Sequence, residues 1–211
     1  MIKEDGDLRD LIERKMAERD HCCGPFSKEV GEEIMYRVVE GMDELHKYDI
    51  IHRDLKASNV LVKTDPMGKW HWCIVADFES SIGVVGTGFW RAPEILRALR
   101  EKNVGKRPEL FSREADSYSY GMTCYEVLTG LKPFEEVQNC NVKAFVDEVL
   151  QGRRPTLPRD LQPWMVDLMN KCWHMDPLER PTIDKIFEIL DVLPRNKTMF
   201  LKSMDDNYRH C

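Results

Sequence analysis

Three side chains of different chemistry stand at fixed spacing in the stretch His52-Arg53-Asp54-Leu55-Lys56-Ala57-Ser58-Asn59: a carboxylate at Asp54, an ammonium at Lys56 and a carboxamide at Asn59. A loop that gathers them can aim Asp54 at an acceptor hydroxyl, Lys56 at a phosphoryl group in transit and Asn59 at a metal ion. That is the division of labour phosphoryl transfer requires. Each residue alone would be ordinary, since an Asp in a loop usually makes a turn and a Lys is usually solvated. Here the whole octet lies between two short apolar runs, Asp49 to Ile51 and Val60 to Val62, which predict a strand on each side of it.

The elements that must hold this loop can be read outward from it. Upstream, Ser27 offers an N-cap to a helix whose apolar positions Val30, Ile34, Val38, Met42 and Leu45 recur at helical spacing. Before that, Leu8, Leu11 and Ile12 mark a short amphipathic helix ending near Glu18. Downstream, Val60-Leu61-Val62 and Trp72-Cys73-Ile74-Val75 form a hairpin through Asp65-Pro66-Met67-Gly68 and lead to Ala76-Asp77-Phe78-Glu79. Ala92-Pro93-Glu94 opens a short helix, and Arg100 to Pro108 reads as a solvated loop. Ser112 caps a helix to about Thr129 that presents Tyr118, Met122, Tyr125 and Leu128 on one face and stops at Gly130. Helical patterns at 141–151, 161–173 and 182–193 follow, the last capped by Thr182. The expected fold is one mainly α domain with a small β-hairpin sheet.

Bulk composition excludes several classes of function. The 211 residues, 42% apolar, suffice for a substantial core, and a net charge of −6 without a basic run argues against a nucleic-acid partner. No apolar run approaches the ~20 residues of a spanning helix, and the charged start Met1 to Asp7 is unlike a signal peptide, so a soluble, cytoplasmic protein is expected. Seven scattered cysteines include no C-x-x-C pair, and adjacent residues such as His21-Cys22-Cys23 converge poorly on one ion.

The octet resembles the catalytic loop of the protein kinase superfamily. The resemblance implies a catalytic base at Asp54, a phosphoryl-contacting Lys56 and a magnesium ligand at Asn59. Asp77 resembles the metal-binding Asp of the family's D-F-G, with Phe78 as its packed aromatic and Glu79 where the motif has Gly. The implied nucleotide-facing residues are Lys56, Asn59, Leu61 and Asp77, the metal ligands are Asn59 and Asp77, and the cofactors are ATP and Mg2+. Gly86 to Glu94 resembles the acceptor-docking end of an activation segment. Thr87 with Lys56 then implies Ser/Thr acceptors on a protein substrate. The span from Asp77 to Glu94 is short for the family, with Ser80 and Ser81 as its candidate phosphorylation sites. Asp116 is similar to the buried Asp that receives catalytic-loop amides, and Glu94 is expected to pair with Arg180. The run Cys172-Trp173 to Asp176-Pro177 to Arg180-Pro181, with Tyr118-Ser119-Tyr120-Gly121-Met122, resembles the tyrosine-kinase-like group in its plant form.

The resemblance covers the family's C-terminal lobe, expected over 1–194 with a polar, flexible tail at 195–211. Neither G-x-G-x-x-G nor V-A-I-K stands before His52, so the chain as written is expected to lack the N-lobe that roofs the ATP site. Leaving one adenine face open, on the order of 100 Å² at about 25 cal/mol per Å², forfeits about 2.5 kcal/mol. Two readings follow. One is a Ser/Thr kinase lobe whose N-lobe lies elsewhere, including on another chain. The other is a C-lobe-only pseudokinase or fragment that acts as a protein-docking module.

Overall fold

The computed structural model describes residues 6–18, 24–64, 71–77, 88–135 and 142–193. Helix α1 (Leu8–Ala17) starts where the Asp7 carboxylate accepts the Asp10 amide, and α2 (Lys28–Lys47) starts where the Ser27 hydroxyl accepts the Val30 amide. Ile34, Val38 and Met42 are buried along α2 as their spacing predicts. Next come strands β1 (Val60–Thr64) and β2 (His71–Val75), an antiparallel pair with Val60 opposite Val75 and Leu61 opposite Ile74. Gly41 of α2 lies under this hairpin, where a Cβ would meet Val75 Cγ2 at 2.9 Å. The strand can therefore settle directly on the helix. The turn 65–70 lies outside the described residues.

The remaining helices are α3 (Pro93–Arg100), α4 (Arg113–Thr129), α5 (Val142–Leu150), α6 (Pro163–Cys172) and α7 (Ile183–Asp191). Ser112 caps α4, and Gly130 ends it at φ +78°, a left-handed conformation that favours glycine. Thr182 holds the N-cap position of α7 without a side-chain cap bond. The result is a mainly α-helical fold with a two-stranded hairpin, the arrangement the resemblance implies for a C-terminal lobe. Among the described residues no helix is long and apolar enough to cross a membrane.

Three expectations need correction. The run 49–51 is not a strand: the chain turns at Asp49, with φ +59°, and the Ile50 amide returns to the Leu45 carbonyl. The loop is thus flanked by a strand on one side only. Second, α4 does not bury a single face, because every residue from Ala115 to Val127 is buried. Serine and threonine hydroxyls bond within the helix, with Ser117 donating to the Arg113 carbonyl, Ser119 to Ala115 and Thr123 to Ser119. Residues that look solvent-facing in sequence can therefore line a central helix. Third, the segment 100–108 carries a 3₁₀ turn at Val104–Lys106 that buries Val104, and a second at Pro108–Leu110 follows.

Candidate active site

The loop's entry is fixed by α2 and α4. One Arg113 Nη2 donates to the His46 carbonyl at 2.6 Å and to Asp49 Oδ1 at 2.6 Å, pinning the turn. Asp116, 1% exposed, then accepts the His52 amide at 2.8 Å on Oδ2 and the Arg53 amide at 2.9 Å on Oδ1. His46 Nε2 lies 2.9 Å from the same carboxylate. A buried carboxylate left without donors would be costly, so the clamp and the loop stabilise one another. The clamp takes over the role of the expected strand, since it satisfies two backbone donors that would otherwise need a sheet ladder. Arg53 is held at φ +70° beside it.

From this entry the chain brings three of the sequence-predicted residues together. Lys56 Nζ is 2.8 Å from Asp54 Oδ2. Asn59 Nδ2 donates to the Asp54 carbonyl at 2.8 Å and to its Oδ2 at 3.2 Å. Leu55 and Ala57, both fully buried, anchor the loop between them. His52 is fully buried as well, and its Nδ1 accepts the Asp54 amide at 3.4 Å. Burial holds its pKa below the ordinary histidine value, so the ring is neutral near pH 7.

Asp77 reaches the same place through the hairpin. The Ala76 amide donates to the Asn59 carbonyl at 2.9 Å, which sets Asp77 next to Asn59, with φ +59° and an exposed side chain. Asn59 has committed its Nδ2 to Asp54, so the amide's remaining group is an oxygen. That oxygen and the Asp77 carboxylate are hard donors of the kind that could hold magnesium. Leu61 lies half-buried on the outward hairpin face beside Ile74. Thr87, Phe78, Glu79, Ser80 and Ser81 lie outside the described residues.

Ahead of α3, a 3₁₀ turn at Gly88–Trp90 buries Trp90. Glu94 and Arg180 form a fork, Nη1 to Oε1 at 2.8 Å and Nη2 to Oε2 at 2.8 Å, with the Arg180 side chain fully covered. Sequence reasoning missed Glu126. It is 1% exposed and accepts the Ala57 amide at 3.0 Å, Trp90 Nε1 at 2.7 Å and Arg9 Nη1 at 3.4 Å. Burial pushes its carboxyl above the ordinary value, against the pull of those donors. No local pattern marks it, because its partners lie far along the chain. The Cys73 and Cys124 thiols are pushed up to about 12 by desolvation, which disfavours their thiolate forms. A cavity of about 470 Å³ near Met16, Phe26, Tyr125 and Met165 includes none of these site residues.

A family model described as the protein kinase domain matches residues 2–189. The chain is similar to the light-sensor protein kinase of Ceratodon purpureus, 37% identical over 97% of this chain and 17% of that protein. It is also similar to serine/threonine-protein kinases STY17 and STY46 of Arabidopsis thaliana, each 33% identical, over 82% and 75% of this chain and 28% and 26% of theirs. It spans less than a third of the length of these relatives. Both the family match and the clamped octet point the same way, and the chain belongs to the protein kinase family.

Proposed function

We propose that this chain is the acceptor-binding lobe of a serine/threonine protein kinase of the tyrosine-kinase-like group, with the lobe spanning 1–194, a tail at 195–211 and a cytoplasmic location. The reaction is transfer of the γ-phosphoryl group of ATP to a Ser or Thr hydroxyl of a protein. The observation that carries this reading is the convergence of Lys56 and Asn59 on Asp54, above a loop clamped by Asp116. Asp54 takes the role of base and orients the acceptor hydroxyl, while Lys56 balances charge on the phosphoryl group. Asn59 and Asp77 are the residues that would hold magnesium, which when bound offsets phosphate charge. Thr87 is assigned to Ser/Thr acceptor selection from its motif alone.

ATP also needs cover from elements that the described residues do not include. A second reading, a protein-docking module, draws on the outward hairpin face, where Ile74 is 54% exposed beside half-buried Leu61. An N-lobe-bearing chain would suit that face, so the two readings share a partner. The test is transfer of radiolabelled phosphate from ATP to a Ser/Thr peptide by this chain and by Asp54→Asn. The expected outcome is a fall of about 10²- to 10⁴-fold in the variant. Equal background in both would remove the claim of stand-alone catalysis by this chain.

A further inference from the structure

Arg91 carries a buried charge beside the loop. It is 5% exposed, between buried Trp90 and buried Ala92, and its Nε and Nη1 have no hydrogen-bond partner among the described residues. Its backbone, by contrast, is fastened. Ser119 Oγ donates to the Trp90 carbonyl at 3.0 Å, and the Arg91 amide donates to the Gly88 carbonyl at 3.4 Å. The Trp90 indole and the Ala57 amide meet on one oxygen of Glu126, so the turn that leads to Arg91 lies against the loop that carries Asp54. Burial lowers the Arg91 pKa against the pull of the Asp54 carboxylate, yet a guanidinium stays charged near pH 7.

Asp54 is already engaged. Among the described residues its carboxylate takes Lys56 Nζ and Asn59 Nδ2, both on Oδ2, and neither donor is Arg91. Lys56 and Arg91 therefore bring two positive charges to a single carboxylate. A desolvated cation without a bonded partner is costly, and an incoming anion recovers that cost. The guanidinium fork fits a carboxylate or a phosphate through two parallel bonds. Asp54 and Lys56 keep 16% and 20% of their side chains open, which gives a ligand an entry to this place. Asp77, assigned to the nucleotide's metal, arrives through the hairpin. Arg91 comes instead from the segment 86–94, which its motif assigns to acceptor docking.

We propose that Arg91 is a specificity-determining residue, whose buried, unbonded guanidinium receives a negatively charged side chain of the acceptor protein next to the Ser or Thr that is phosphorylated. The proposal rests on reading Asp54 as the base for a protein hydroxyl. It differs from that reading in what it predicts, because the preference for an acidic neighbour can be measured without turnover.

The probes are short alanine peptides with one central Ser, and versions in which a residue directly before or after that Ser is Asp, Asn or phosphoserine. Titration calorimetry on the full chain gives their affinities. At least one version with a charged neighbour is expected to bind about tenfold more tightly than its Asn counterpart, and the Asp and phosphoserine versions tell a carboxylate site from a phosphate site. Arg91→Gln is expected to bring that ratio close to one, while Arg91→Lys keeps part of it. The Arg91 Nε–H resonance, identified by its loss in Arg91→Gln or Arg91→Lys, is expected to move with the preferred peptide and not with the Asn version, a readout on the wild-type chain that does not depend on how well a variant folds.

Equal affinity of the wild-type chain for charged and neutral versions would overturn the proposal. So would a preference that survives in Arg91→Gln, or a loss in that variant shared equally by all the peptides, which is the mark of a purely structural role. In a chain that transfers phosphate, the preference should appear in KM rather than in kcat. If the wild-type chain transfers none, the claim of catalysis fails by itself and the titrations alone decide the Arg91 site.

Discussion

The loop side and the hairpin side of the site differ in what covers them. On the loop side Asp116 and Glu126 are each 1% exposed, and between them they receive three amides of the segment 52–57. On the hairpin side Ile74 is 54% exposed, Leu61 opposite it is half-buried and Asp77 is open to solvent. One β-strand connects the two regions, with Val60 and Val62 turned into the core and Leu61 turned away from it. The geometry around Asp54 is therefore set by the lobe's own core. The hairpin half presents exposed apolar surface, of the kind that invites a partner.

Breaking the covered side should cost most at the Glu94–Arg180 fork. Arg180→Ala leaves Glu94 without its partner and removes donors from the Glu114 and His174 carbonyls. Loss of one member of such a buried pair costs about 3 to 5 kcal/mol, a fall in Tm of roughly 10 °C for a domain of this size. The measurement is a thermal melt of the full chain. An unchanged Tm would mean that the fork contributes nothing to holding α3 against the lobe.

The uneven legibility of the site has the same physical origin. The octet, the Ser27 cap, the hairpin, Asp116 and the Glu94–Arg180 pair were readable because each belongs to a local pattern or a motif with set spacing. Asp49 to Ile51 misled, since two apolar residues carry too little periodicity to separate a strand from a turn. The polar faces of Ser117, Ser119 and Thr123 concealed how central α4 is, because hydroxyls that bond the preceding helical turn need no solvent. Glu126 was invisible for a different reason. A carboxylate in a helix reads as solvated unless its donors are known, and these come from Arg9, Ala57 and Trp90.

A pH titration sharpens the comparison with a smaller effect. His52 is neutral in the folded chain because burial lowers its pKa, while in the unfolded chain it takes up a proton near pH 6.5. The unfolded state thus binds more protons below that pH. The stability contributed by neutral His52 is complete above about 6.5 and is lost as pH falls through it, at no more than about 1.4 kcal/mol per pH unit. His52→Phe removes the titrating group, so its Tm should decline less steeply than wild type between pH 7.5 and 5.5. Parallel declines would show that the loop side admits a protonated His52.

The smallest effect is expected on the hairpin side, and it is the one that can collapse the distinction. Ile74→Lys places a charge on the face shared with Leu61, where an exposed position normally changes stability by no more than about 0.5 kcal/mol. The Tm of the isolated chain should therefore stay within about 2 °C of wild type. A charge at Val62, 2% exposed on the opposite face of the same hairpin, should instead unfold it. If the chain self-associates through the open face, Ile74→Lys should abolish that association, read by sedimentation, without lowering Tm. A drop in Tm as large as that of Arg180→Ala would mean that Ile74 is packed in solution, and the hairpin side would then be as closed as the side that holds Asp54.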